Sequence, residues 1–425
     1  MKNILLVLFL FCSYFGFSKT TSTTAPSGFG FSSYSWDNGA PVAGDDVILN
    51  HDGFMYLDNL SFNSLTMNDC ALLYYIGSLT VGTLTLNQTS GNSNTLTVNG
   101  SNTLTVNGDI TFNSVSKSSN SLLMAGGGTL NLAGGFVNGG QGTITPAGSC
   151  VLNMTGTGSD TLYGDDWGNI TINKASGTVY VGEDIGSNGG DLTITSGNLD
   201  NNGHTIAGES TSSFSLASGL TYTIRTGHMF GTSAANGWGG GYTINASSTI
   251  EFSDANHNIG VSGATVAVGN VTVPNNRTVS GVGTLNIEGT MTLSGNSQFS
   301  VNATAVGGSG TITFGASDTL VIESGSYPTT ATITNPSGII KYSGSNQNID
   351  AKVFEKLILS GSGTKTLSGA GSVSTSLLIR DGVTFNSNSQ VFTIKSSATG
   401  TAGVKSIGSG TTSGDFTVER YVSDM

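Results

Sequence analysis

One group of residues in the chain has the types that carbohydrate-cleaving sites use. Its members are Asp165, Asp166, Lys174, Glu183 and Asp184, followed by His204 and Arg225 in later repeats. A polysaccharide lyase needs carboxylates for a cation and a Lys or Arg base, and a glycosidase needs two carboxylates that flank the scissile bond. Between Thr20 and Ile340 the only basic residues are Lys117, Lys174, Arg225 and Arg277, which is thin provision for binding acidic sugar. An enzyme is therefore the alternative hypothesis, and we predict no catalytic residue.

Other polar clusters could in principle hold a metal ion. The adjacent acidic pairs are Asp45-Asp46, Asp165-Asp166 and Glu183-Asp184. On a turn such carboxylates could bind Ca²⁺, although Asp also begins many turns simply by bonding to its own backbone. The histidines, His51, His204, His228 and His257, have no metal-ligand spacing. We predict no metal ligand, no cofactor and no cofactor-binding residue.

The composition restricts the class of partner. The 425 residues include 14 Lys and Arg against 26 Asp and Glu, which gives a net charge of −12. Nucleic-acid binding normally needs a basic face, so we expect no nucleic-acid partner. Only 9% of the residues are charged, which is unlike a chain kept disordered by its charge.

The first 18 residues predict export. Residues 1–18 combine Lys2, an apolar run from Ile4 to Phe11 and small residues before a cleavage point, as in a secretory signal peptide. No later run is long enough to span a membrane. We therefore expect a secreted, extracellular or cell-surface protein. Cys70 and Cys150 would remain, either as a disulfide or as two buried thiols.

The elements that must position these side chains are strands. Apolar residues alternate with Thr and Asn, and the segment NTLTVNG occurs at 94–100 and again at 102–108. A longer repeat begins at Val151, Ile250 and Ile340. Such repetition predicts an all-β parallel β-helix (β-solenoid) of about 15 to 18 coils. Tandem β-sandwich domains are the alternative, because a sandwich domain of about 100 residues would also suit this repeat length.

Three stretches carry a resemblance to a known family. They are the segment SWDNGAPVAGDDVIL at 35–49, the repeat KLILSGSGTKTLSG at 356–369 and the segment FTVERYV at 416–422. In these stretches the chain resembles repeat-rich, adhesin-like surface proteins exported by type IX secretion. The resemblance implies a β-solenoid stalk and a separate C-terminal sorting domain, which we do not see before Met425. It carries over no catalytic residue.

These observations predict a domain order. We expect a signal peptide at 1–18, an N-terminal cap and first coil at 19–55, a solenoid repeat body at 56–340, and a last repeat with a truncated C-terminal segment at 341–425. The first functional hypothesis is a monomeric module of a longer chain, a stalk or adhesin that binds extracellular glycan or matrix multivalently. The alternatives are a carbohydrate-active enzyme on the same scaffold and a spacer that binds nothing.

Overall fold

Apolar and polar residues alternate along the chain, so it forms short strands that each have one apolar face. In β6 (Ser78–Asn87) the leucines and valine are fully buried and the threonines face outward. The computed structural model describes residues 20–25, 35–50, 60–69, 73–75, 78–88, 93–114, 119–164, 166–186, 189–209, 211–225, 238, 241–302, 305–324, 327–328, 332–334, 338–406 and 408–422. It is all-β, with 59% of residues in strands, and forms a parallel β-solenoid of about 15 turns. The predicted fold class is thus confirmed, and the β-sandwich alternative is not the fold that forms.

The chain divides into two compact units, residues 1–192 and 193–425. The first unit contains β1 (Thr20–Ala25), β2 (Ser35–Trp36), β3 (Asp46–Leu49), β4 (Leu60–Asn68), β5 (Leu73–Tyr75), β6 (Ser78–Asn87), β7 (Asn94–Asn99), β8 (Thr103–Val106), β9 (Ile110–Asn113), β10 (Asn120–Ala125), β11 (Thr129–Leu132), β12 (Phe136–Val137), a 3-10 turn (Gly139–Gln141), β13 (Thr143–Pro146), β14 (Val151–Met154), β15 (Asp160–Leu162), β16 (Asn169–Val181) and β17 (Ile185–Gly186).

Strand β18 (Leu192–Asp200) begins at the last residue of the first unit. The second unit continues with β19 (Ile206–Ala207), β20 (Ser213–Leu216), β21 (Thr221–Ile224), β22 (Gly241–Ile244), β23 (Thr249–Phe252), β24 (His257–Val268), β25 (Asn270–Val273), β26 (Thr278–Ile287), β27 (Thr290–Leu293), β28 (Gln298–Val301), β29 (Ala305–Gly307), β30 (Thr311–Thr313), β31 (Thr319–Ile322), β32 (Thr332–Thr334), β33 (Ile339–Tyr342), β34 (Gln347–Ile349), β35 (Val353–Leu359), β36 (Gly363–Leu367), β37 (Gly371–Ile379), β38 (Val383–Asn386), β39 (Phe392–Ile394), β40 (Ser396–Ser397), β41 (Gly400–Thr401), β42 (Gly403–Ser406), β43 (Thr411–Ser413) and β44 (Thr417–Val418).

Each strand lies parallel to the equivalent strand of the next rung. Side chains that are hydrogen-bonded between paired strands of successive rungs are 18 residues apart in sequence for Asn50 and Asn68 and 28 apart for Thr223 and Glu251. The long repeats found in the sequence are such rung pairs, because β14 lies on β16, β23 on β25 and β33 on β35. Two antiparallel contacts occur among the described strands, β1 with β2 and β40 with β41.

Inward side chains stack in columns along each unit. In the first unit Leu79 lies in register with Leu104, and Leu104 with Leu130. In the second unit one column runs from β26 to β37 and consists of Val279, Phe299, Leu320, Ile340, Leu357 and Leu377. Five of these six side chains are at most 1% exposed, and Ile340 is 5% exposed. Burial of apolar area at every rung is the main stabilising term of this fold.

The two NTLTVNG segments occupy two sides of the solenoid. The first forms β7, which pairs with β5 and β10, whereas the second forms β8, which pairs with β6 and β11. The chain turns between them at Gly100, whose φ of 62° lies in the left-handed region that favours glycine. The identical segments therefore lie side by side in one coil and do not stack on each other.

Some predictions concern residues outside the described ranges. The signal peptide at 1–18, Cys70 and, within the predicted N-terminal cap and first coil, residues 19, 26–34 and 51–55 fall there. Cys150 is a buried free thiol whose Sγ lies 2.9 Å from the carbonyl oxygen of Ala147. The domain order remains a prediction.

Candidate functional site

The acidic and basic residues considered above for carbohydrate cleavage do not form one solvent-accessible cluster in the described part of the first unit. Asp165 lies outside the described residues, and Asp166 is an exposed residue with φ 62°. Glu183 accepts a hydrogen bond from the backbone N–H of Gly164 at 2.8 Å, which fixes its carboxylate on a turn. Asp184 is exposed.

Lys174 lies in the interior of the first unit. Its side chain is fully buried, and its ammonium forms an ion pair with Asp160, whose side chain is 15% exposed. The ammonium also donates a hydrogen bond to the carbonyl oxygen of Thr155 at 2.9 Å. A lysine held in this way stabilises two neighbouring rungs, and it would have to leave the core to act as a base on a polymer.

Arg225 and His204 belong to the second unit. Arg225 binds both carboxylate oxygens of Asp200 through Nε at 3.0 Å and reaches Asp254 at 3.4 Å. These carboxylates raise the pKa of the arginine further above its usual value. His257 is buried, stacks on Phe252 with ring centroids 5.0 Å apart, and its Nε2 lies 2.6 Å from the carbonyl oxygen of Arg225. These contacts hold the first rungs of the second unit together.

The possible calcium ligands Asp45 and Asp46 also bind the protein itself. Asp45 accepts a hydrogen bond from the backbone N–H of Val42 at 2.9 Å, and Asp46 accepts one from Asn63 and one from Ser64, both at 2.7 Å. No group of three or more His, Cys, Asp or Glu side chains that could hold a metal is found among the described residues.

A second buried lysine escaped the sequence analysis. Lys365 occupies an inward position of β36, and its side chain is fully buried. Its ammonium donates to the carbonyl oxygens of Gly344 at 2.6 Å, Ser362 at 3.2 Å and Ser345. Burial lowers the pKa of this lysine to about 8. The ammonium thus closes a turn by binding three backbone carbonyls.

A cavity of about 390 Å³ with a mixed lining lies among the described residues of the second unit. Tyr327, Phe314 and Phe354 form its apolar wall, and Lys352 and Glu355 add charged groups. The Lys352 ammonium lies 5.4 Å from the ring centroid of Tyr327. Burial, with a smaller contribution from Asp350, raises the pKa of Tyr327 to about 12. The lining has polar and apolar groups in similar measure and lacks paired carboxylates among its described residues, so it does not meet the requirement of a glycosidase.

Outward side chains of the first unit form continuous polar rows. We call one of them the mixed row; it runs through Thr80, Thr105, Asn131, Asn153 and Thr171. Asn153 donates to the Oδ1 of Asn131 at 2.9 Å, and Asn131 donates to the Oγ1 of Thr105 at 3.3 Å. A second row, the asparagine row, consists of Asn50, Asn68, Asn87 and Asn113.

The second unit carries the most regular polar surface in the described part of the chain. Six strands, β21, β23, β25, β27, β30 and β32, stack in parallel in unbroken register. We call their outward surface the threonine face; its first column is Thr221, Thr249, Asn270, Thr290, Thr311 and Thr332, and its second is Thr223, Glu251, Thr272, Thr292 and Thr313.

Comparison of the chain with protein-family models, with curated proteins and with solved structures gave no match. None of the described segments forms a helix long and apolar enough to cross a membrane.

The alternation of apolar residues with Thr and Asn predicts outward polar rows, but it does not by itself show which of them align most regularly. The signal was the tripeptide Thr-x-Thr or a close variant of it, which returns at Thr249, Asn270, Thr290, Thr311 and Thr332. Because this interval equals one coil, the tripeptides must stack on one face.

Proposed function

We propose that this protein is a secreted or cell-surface β-solenoid stalk that binds extracellular glycan or matrix polymers through repeated weak contacts. It acts as an adhesin-like module, and its binding surface is a row of repeated threonine and asparagine side chains. The proposal includes export through the type IX pathway, which rests on the signal-peptide pattern at 1–18 and on the family resemblance of 35–49, 356–369 and 416–422.

The mixed row is the observation that supports binding most directly. Its side chains recur once per rung, at the strand spacing of about 4.8 Å. The hydrogen bonds from Asn153 to Asn131 and from Asn131 to Thr105 hold the amides in one orientation. An asparagine amide has two N–H donors, so a second donor of each amide can serve a ligand. Repeated sites of this kind give avidity even when each contact is weak.

Charge favours a neutral polymer over an acidic one. The chain has a net charge of −12, and Lys174, one of its few cations, is buried in an ion pair. A polyanion would therefore be repelled as it approaches the protein, most strongly at low salt. We expect neutral glycans to bind better than sulfated or uronic acid polymers.

A glycan array, with and without Ca²⁺, tests this function. The variant Asn131→Val/Asn153→Val removes two amides at outward strand positions where valine is well tolerated. Loss of two hydrogen bonds of about 1 kcal/mol each should weaken binding at least about tenfold. The control Thr384→Val/Thr411→Val removes a hydroxyl pair at 2.9 Å on two other rungs, and we expect it to bind as the parent does.

The outcomes separate the three functional hypotheses. Binding that is lost only in the Asn131/Asn153 variant supports the proposal. Cleavage of a bound polymer would replace it with the enzyme, and absence of binding to every glycan and matrix polymer would leave the spacer.

A further inference from the structure

The threonine face has a regularity that polymer binding does not require. Nine of its eleven positions are threonine, and Glu251 is its only ionisable residue. The register continues from β21 to β32 without a shift. Thr290 and Thr332 are exposed, and Thr272, Thr292 and Thr311 are half-buried by their neighbours along the column. The face therefore presents a two-column array of hydroxyl and methyl groups with almost no charge.

The solenoid fold does not by itself demand this composition. The second large sheet of the same unit, which includes β31, β33 and β35, has outward columns of mixed chemistry. In one column Thr319 is followed by Ile339 and then by Lys356, and in the next Lys341 is followed by Ile358. Both sheets have the same parallel pairing, so this pairing does not explain why threonines are concentrated on one face.

Glycines at one corner hold the rungs of the face close together. Gly269, Gly289 and Gly310 immediately precede the first outward position of β25, β27 and β30. A Cβ atom at Gly310 would lie 2.1 Å from the carbonyl oxygen of Gly289, and one at Gly269 would lie 2.3 Å from that of Asn245. Only glycine fits this approach, which brings each rung onto the previous one at the same point.

The spacing of the array is fixed in both directions. Successive rungs are about 4.8 Å apart, and the two outward residues of a strand are about 6.6 Å apart. Threonine is β-branched and restricted at χ1, so its hydroxyl and methyl groups keep their positions before any ligand arrives. Hexagonal ice has crystal faces on which water oxygens also repeat in two perpendicular directions at a few ångströms, so a rigid two-column array of hydroxyl groups can be complementary to such a face.

We propose that the threonine face binds ice. The hydroxyl groups replace water oxygens of the crystal surface at matching positions, and the methyl groups fill the space between them. The scarcity of charge fits this ligand, because an ionised side chain would keep its own hydration shell in place of the ordered water. This inference goes beyond the binding of glycan or matrix and does not depend on it.

Partition into slowly growing ice tests the proposal on the purified protein. The protein concentration is measured in the ice fraction and in the remaining liquid, and the non-colligative lowering of the freezing point is measured on the same samples. We expect the parent protein to be enriched in ice relative to a non-binding protein of similar size.

Two variants with the same chemical change locate the site. Thr272→Lys/Thr292→Lys places two charges in the second column of the threonine face. Thr278→Lys/Thr319→Lys makes the same change at half-buried positions on the second sheet of the unit. We expect the first variant to lose its enrichment in ice completely and the second variant to keep it. Circular dichroism of the strands and urea unfolding midpoints, compared for both variants, report whether each still folds.

Each outcome decides the matter. Exclusion of the parent protein from ice overturns the proposal whatever the variants do. Enrichment that survives in Thr272→Lys/Thr292→Lys, or that is lost equally in both variants, overturns the assignment to this face. Glycan binding measured on the same variants reports on the proposed polymer binding separately.

Discussion

Breaking the ion pair between Lys174 and Asp160 should destabilise the first unit, and the variant Lys174→Met tests this. The lysine is fully buried and the aspartate is 15% exposed. Methionine fills a similar volume, so the substitution removes the charge without opening a large cavity. The variant leaves the Asp160 carboxylate in a largely dry site and the carbonyl of Thr155 without its lysine donor.

The expected loss can be worked from these contacts. Removing one partner of a buried ion pair costs about 3 to 5 kcal/mol, and the partial exposure of Asp160 places this pair near the lower value of about 3 kcal/mol. The carbonyl of Thr155 adds about 1 kcal/mol. We therefore expect Lys174→Met to lower the free energy of unfolding by about 4 kcal/mol. The double variant Asp160→Asn/Lys174→Met contains no charge to leave unpaired and should lose only about 2 kcal/mol.

Urea unfolding measures both values. Trp167 is fully buried in the same unit, so its fluorescence reports the transition. A double-mutant cycle with Asp160→Asn alone then gives the coupling between the two side chains, which we expect to be at least about 2 kcal/mol. Additive effects of the two single substitutions, within about 0.5 kcal/mol, would refute the reasoning that the pair stabilises these rungs.

Three further predictions concern the second unit and the interior of the first. Burial lowers the pKa of Lys365 from 10.5 to about 8. Between these pH values the unfolded chain therefore binds more protons than the folded chain does. The free energy of unfolding should rise with pH across this window, by at most about 3 kcal/mol. Denaturant unfolding at several pH values should show that rise in the parent and its absence in Lys365→Met. Gly310→Ala places a Cβ 2.1 Å from a backbone oxygen and should lower the midpoint of thermal unfolding. The control Gly403→Ala places its Cβ where no atom lies within 4 Å and should leave that midpoint unchanged. Equal midpoints of the two variants would contradict the close approach at Gly310. Asn120→Leu removes two hydrogen bonds of 2.9 Å that Asn120 donates to backbone carbonyls and the 2.7 Å hydrogen bond that it accepts from Asn94. Urea unfolding should show a free energy of unfolding lower by about 3 kcal/mol. A decrease below about 1 kcal/mol would show that these bonds contribute little.

The fold could be predicted because one local rule repeats along the whole chain. Alternation places residues such as Leu104 and Val106 on one side of a strand, and equal spacing between coils then places them on Leu130 and Leu132 of the next rung. No long-range information is needed for this step, since each rung pairs mainly with its neighbours. Which sheet a strand joins depends on turn geometry, and for that reason the two identical NTLTVNG segments gave no sign that they lie on different sides.

The roles of the charged residues were harder to predict. The alternation of β16 places Lys174 in phase with Ile170 and Ile172, and that of β36 places Lys365 in phase with Leu367. An inward position was therefore visible in the sequence for both lysines. Their acceptors were not, because Thr155, Asp160, Gly344 and Ser362 precede, follow or begin strands at the turns, and turn conformation is not set by alternation.

Because the strands of the threonine face pair without register shifts, one whole coil can be gained or lost as a unit during evolution. In the threonine face each strand contacts the strands directly above and below, and the turn glycines recur at the same place in successive coils. Duplication or deletion of the gene segment for one whole coil would preserve every side-chain phase on both sides of the change. Such an event would alter the length of the array by about 4.8 Å per coil. Selection could thus adjust the reach and the number of contacts of this surface through copy number, without inventing a new residue.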